Sequence, residues 1–117
     1  MRLRRTVAAA FGALTLALTL PAASADAATG RFTYVFKGPD GPEVGMLIDP
    51  PSYECLTLPE AELTSVPPAH SPRNATNSGV RAFKGPYCTG DYFDLRPHNG
   101  YGSKLLKVRS VLFYDHP

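Results

Sequence analysis

The chain has 117 residues, with twelve Lys and Arg against ten Asp and Glu, a formal charge of +2 and only two cysteines. Three of those arginines (Arg2, Arg4, Arg5) sit at the very start, so from Asp26 onward nine basic residues face ten acidic ones and the charge is about −1. That excludes a globally basic nucleic-acid binder, and the length leaves room for one small domain.

The first residues read as a targeting segment. The three arginines form a basic start, residues 7–20 are an uncharged apolar run too short to favour a membrane span, and Pro21 breaks any helix. Ala23, Ser24 and Ala25 offer small residues for cleavage after Ala25, with a second option after Ala28. The expectation is a secreted chain: a signal peptide over 1–25, one domain over 26–117, and no membrane association once the leader is gone.

Residues 31–37 alternate, with Phe32, Tyr34 and Phe36 on one face, which is the pattern of a half-buried strand. Residues 38–42, Gly-Pro-Asp-Gly-Pro, read as a turn. A second strand over 43–48 puts Val44, Met46 and Ile48 together; residues 49–52 end it, and residues 53–58 form a third. Residues 59–64 allow one helical turn opened by Pro59. Residues 66–77 carry Pro67, Pro68 and Pro72 and read as irregular, extended, polyproline-like backbone. Within them Asn74-Ala75-Thr76 fits a glycosylation sequon. Strand character returns at 79–84 and 91–96, around a Gly/Pro corner at 85–90 that contains Cys88. Asn99-Gly100 marks a tight turn, and residues 104–114 form the longest strand candidate.

Eleven prolines after the leader interrupt every long helical window, and short strands with closely spaced turns point to an all-β sandwich. A core this small benefits from a covalent staple. Cys55 and Cys88 allow one intramolecular disulfide, expected in an oxidising compartment, and it would enclose 32 residues. Chain-entropy arguments put its contribution at about 3.7 kcal/mol. Phe36-Lys37-Gly38-Pro39 recurs as Phe83-Lys84-Gly85-Pro86, which suggests two related β units. Residues 38–62 hold six acidic residues and no Lys or Arg, whereas residues 81–109 hold six basic residues against Asp91 and Asp94. The expectation is mutual attraction of the two halves across the fold, with a charged surface for a partner as the alternative.

The stretch Phe83-Lys84-Gly85-Pro86-Tyr87-Cys88-Thr89-Gly90 resembles the opening of a βγ-crystallin Greek key. In that family an aromatic is followed seven residues later by a glycine at a folded hairpin, and a serine lies on the last strand. Phe83, Gly90 and Ser110 match; Cys88 replaces a second aromatic, and the earlier half fits loosely. The resemblance implies a Greek-key sandwich. Small secreted bacterial members include metalloproteinase inhibitors and wall- or chitin-binding antifungal proteins. Many members bind calcium, but the nearest segment here, residues 98–103, keeps only Asn99 and Ser103 of that pattern, so no metal and no cofactor are expected.

No residue set reads as catalytic. His70, His98 and His116 are scattered, and Asp91 and Asp94 would face opposite sides of a strand. The expected function is non-catalytic binding by a monomer, with an extracellular protease or a cell-wall polysaccharide as partner. For an inhibitor, the candidate binding loop is Val66, Pro67, Pro68, Ala69, His70 and Ser71, because a stiff segment loses little entropy on docking. For a wall binder, Tyr87, Tyr92, Tyr101 and Tyr114 could offer ring faces to sugars.

Overall fold

A computed structural model describes residues 27–114. The expected signal peptide and His116 lie outside them. Nine strands follow in order within the described residues: β1 (Gly30–Gly38), β2 (Gly41–Ile48), β3 (Cys55–Thr57), β4 (Ala69–Thr76), β5 (Gly79–Phe83), β6 (Tyr92–Leu95), β7 (Gly100–Tyr101), β8 (Lys107–Val108) and β9 (Ser110–Tyr114). One 3-10 turn, Pro59–Ala61, lies between β3 and β4.

The strands form two antiparallel sheets. The first runs β2-β1-β4, with β7 and β8 both pairing along the far side of β4; the second runs β3-β9-β5-β6. Each half of the chain therefore gives a strand to the other half's sheet. β3 leaves β1, β2 and β4 to pair with β9, and β7 leaves β5 and β6 to pair with β4.

Alternation explains the packing. On β1, Phe32 and Tyr34 point inward and are buried, while Arg31 is exposed. Phe32 meets Phe113 of the opposite sheet edge-to-face, with centroids 5.6 Å apart. Val80, Ala82, Val108, Val111, Leu95 and Leu58 complete the core. Burying a side chain such as Phe32 contributes about 1.5–3 kcal/mol, and the edge-to-face pair about 0.5–1.5 kcal/mol more. On β2 the apolar face expected from the sequence is coherent but turned outward: Val44 and Ile48 are each 66 % exposed. The inner side of β2 is Gly45 and Leu47, because the Tyr34 ring lies where a Cβ of Gly45 would be.

The irregular segment expected at 66–77 is instead largely β4, an interior strand of the first sheet. Proline is normally barred from such a strand because it cannot donate to the ladder. Here the β1–β4 register shifts between Thr33 and Val35, and Ser71 takes a positive φ of 53°. This bulge lifts Pro72 out of regular pairing and lets it be buried. It also divides β4: Ala69 and His70 pair with β8, and Arg73 and Asn74 pair with β7.

The single long strand expected at 104–114 is likewise two strands in two sheets, β8 and β9, separated by Arg109. At that residue the backbone crosses between sheets, accepting from Leu58 N–H and donating to Phe83 C=O. The Phe-Lys-Gly-Pro repeat does not mark equivalent positions. Phe36 packs against the core, whereas Phe83 lies on the outer side of β5 beside Tyr92, 5.7 Å between centroids. The charged halves are not tied together by ion pairs either. Among the described residues the one salt bridge is Arg81–Asp94, 2.9 Å, inside the second half. The disulfide Cys55–Cys88 is formed, with Cα atoms 6.0 Å apart. Since β3 belongs to the second sheet, the bond braces that sheet rather than clipping the two sheets to each other.

Candidate functional site

The residues matched to the folded hairpin do converge. After β5 the chain makes a compact corner: Gly85 N–H donates to Thr89 C=O at 2.9 Å, and Thr89 Oγ1 donates to Pro86 C=O at 2.6 Å. Tyr87 and Cys88 both have φ of 57°, and Gly90 has φ of 81°, a region glycine enters at no steric cost. Two consecutive left-handed side-chain residues need outside support, at a cost of roughly 1–2 kcal/mol each. Ser110 supplies it from β9. Its fully buried hydroxyl donates to Gly85 C=O at 2.6 Å and accepts from Cys88 N–H at 2.8 Å. Thr57 Oγ1 accepts from Tyr87 N–H at 3.0 Å. The Tyr87 hydroxyl donates to the Glu62 carboxylate, which holds the phenol above its ordinary pKa. Ser110 and Gly90 thus shape the corner, while the Phe83 ring packs beside Tyr92 on the outer side of β5.

The candidate binding loop is split by the fold. Ala69, His70 and Ser71 belong to β4, and Ala69 is fully buried. Val66, Pro67 and Pro68 remain as a short connection. Arg109 holds it, although alternation alone makes this residue look like one more charge on a strand. Its side chain is largely buried, and Nη1 donates to Ala61 C=O at 3.0 Å and Leu63 C=O at 2.7 Å, while Nη2 donates to Val66 C=O at 2.8 Å. Three carbonyls thus take the place of a carboxylate partner, which suits the fixed fork of a guanidinium.

The four tyrosines do not gather on one surface: Tyr92 and Tyr114 both flank Arg81 on the outer side of the second sheet, with Arg81 Cζ 4.1 Å above the Tyr92 ring, and the other two lie elsewhere. Tyr87 is at the corner, and Tyr101 is on β7 of the first sheet, 67 % exposed. Tyr34 is buried and donates to Glu60 at 2.7 Å; burial and then that carboxylate push its pKa well above the usual range. The calcium-like segment has its oxygens engaged: Asn99 Oδ1 accepts from Arg96 and Ser103 Oγ accepts from Leu105 N–H. Among the described residues no three His, Cys, Asp or Glu side chains gather as metal ligands. The sequon asparagine, Asn74, is fully buried, and its amide donates to Ser78 C=O at 2.7 Å and Arg96 C=O at 2.9 Å, so it offers nothing to a glycosylating enzyme.

A different constellation stands out on the outer side of the first sheet. Arg31 of β1, Arg73 of β4 and Arg96 before β7 surround a concavity of about 530 Å³ that Tyr101, Thr33 and Asn99 also line. β-Pairing explains the gathering: Arg31 is opposite Ala75, Thr33 opposite Arg73, and Arg73 opposite Tyr101. No carboxylate lines this hollow. Arg31 and Arg73 make no ion pair among the described residues, and Arg96 Nε donates to Asn99 Oδ1 at 3.0 Å. The outward parity of Arg31 and Thr33 was readable in the sequence. Arg73 was hidden, because residues 66–77 had no strand parity to read. Comparison with protein families, with curated proteins and with solved structures gave no match to this chain.

Proposed function

We propose that the chain is an exported, non-catalytic binding module of βγ-crystallin-like, Greek-key build, and that its ligand is an acidic cell-wall polysaccharide held in the Arg31–Arg73–Arg96 hollow. The observation that carries this reading is the set of three guanidinium groups around one concavity with no carboxylate among its lining residues. Arginine forks pair bidentately with carboxylate or phosphate, and an exposed tyrosine ring such as Tyr101 offers a flat apolar face to a sugar. The strand exchange between sheets and the Ser110-held corner support the Greek-key part of the reading. The expected protease-inhibitor role needs a free loop from Val66 to Ser71, and Ala69, His70 and Ser71 of that loop belong to β4.

The test is retention of the 26–117 protein on immobilised acidic polysaccharides and on neutral chitin and cellulose. Binding to the acidic supports, weakening with salt and lost in the Arg31→Gln/Arg73→Gln double variant, is expected. Equal retention by the double variant, or binding confined to the neutral supports, would sink the proposal.

A further inference from the structure

At the hairpin end of the first sheet lies a separate groove of about 280 Å³. Its walls are apolar: Phe36 and Pro42 from the β1–β2 hairpin, and Pro67 and Pro68 from the connection before β4. Two cations, Lys37 of β1 and Lys107 of β8, stand at its rim, and no carboxylate lines it. Neither lysine is ion-paired among the described residues. Lys107 Nζ spends one donor on Lys104 C=O at 3.0 Å, which leaves two free.

The groove is pre-formed. Proline fixes its own φ, so the Pro67–Pro68 wall has little freedom to lose when a ligand enters. Arg109 adds to this by gripping Val66 C=O immediately before that wall. His70, which also lines the groove, is held by Ser71 Oγ at 2.8 Å from its Nδ1. The volume lies just below the usual range for drug-sized ligands and accommodates a fragment on the order of ten heavy atoms.

We propose that this groove binds small aryl-substituted carboxylic acids, with the ring between Phe36 and the three prolines and the carboxylate between Lys37 and Lys107. An apolar trough bordered by two unpaired cations selects against neutral and cationic ligands of the same shape, because those leave both ammonium groups without a counter-charge. The site is distinct from the arginine hollow and does not depend on it.

A matched series tests the idea: 3-phenylpropanoate, 3-phenylpropanol and 3-phenylpropylamine, titrated into the isotopically labelled 26–117 protein and followed by backbone amide shifts. The carboxylate is expected to give saturable shifts at Lys37, Gly41, His70 and Lys107. The alcohol should bind about tenfold more weakly and the amine more weakly still. Lys37→Gln and Lys107→Gln should each lower carboxylate affinity by about three- to tenfold, while Arg31→Gln/Arg73→Gln leaves it unchanged. The inference is overturned if groove amides do not respond, if the three probes bind alike, or if neither lysine variant weakens binding. Since the arginine double variant is scored here too, failure of this site is separable from failure of the polysaccharide reading.

Discussion

Replacing Arg109 by Met keeps an apolar stem of similar shape and removes the guanidinium. Three donors disappear, and the carbonyls of Ala61, Leu63 and Val66 lose their partners. A hydrogen bond to a charged group is worth about 1.5–3 kcal/mol net. Against that sum stands the relief of no longer desolvating a cation, a matter of several kcal/mol in a dry interior. Part of the loss is also recovered as Leu63 and Val66 carbonyls, only partly buried, turn to water. The balance comes to about 2–4 kcal/mol of lost stability, most of it from the fully buried Ala61 carbonyl and the freed segment. For a domain of this size each kcal/mol moves Tm by roughly 4–8 °C, so a drop of about 10–25 °C is expected. Thermal and urea unfolding of the 26–117 protein measure it. Limited proteolysis should then show new cuts at residues 62–68 before global unfolding, and Arg109→Lys, which can reach only some of the carbonyls, should fall between. A Met variant within about 0.5 kcal/mol of the parent would refute the reasoning, since surface changes typically fall in that range.

Ser110→Ala should cost about 2–4 kcal/mol by stranding the Cys88 N–H and the Gly85 carbonyl, and the Cys55–Cys88 bond should become easier to reduce; urea unfolding and thiol titration check both. Gly45→Ala should dislodge the Tyr34 ring and its bond to Glu60, lowering Tm and altering the near-ultraviolet circular dichroism of the tyrosines; an unchanged spectrum would show that the ring is not seated over Gly45. His70 has its pKa lowered by burial, then by Lys107 and Lys104. Its native form therefore binds protons less readily than the unfolded chain, so stability is full above the ordinary pKa near 6.5 and falls as pH drops through that value, levelling below the depressed native pKa. The difference in unfolding free energy between the parent and His70→Gln should accordingly shrink from pH 7.5 to pH 5, and a pH-independent difference would contradict the assignment.

Much of the architecture was legible because alternation was strong where it mattered. Phe32 and Tyr34 on β1 were assigned their inner face by period alone, and the lone cysteine pair could only join to itself. β4 was missed for a specific reason: Pro67, Pro68 and Pro72 carry the signature of a strand-breaker, and the bulge at Ser71 that makes Pro72 acceptable depends on partners 30 to 40 residues away in β1 and β7. The break at Arg109 was invisible for the same reason, since an alternating stretch gives no local sign that it changes sheets. Of the candidate site, Pro67, Pro68 and His70 do meet in one groove, but their facing wall, Phe36 and Pro42, comes from a hairpin that short-range patterning treats as a separate unit.

The trading of β3 for β7 carries a consequence for assembly. Among the described residues β3 pairs with β9 alone, and the second sheet cannot close until β9 has entered between β3 and β5. The first sheet can pair without β9, but until β9 is in place β3 and β5 remain unjoined, and pairings over such separations form slowly. Closure of the second layer is thus governed by the arrival of one central strand, and neither β3 nor the β5–β6 hairpin can complete it alone.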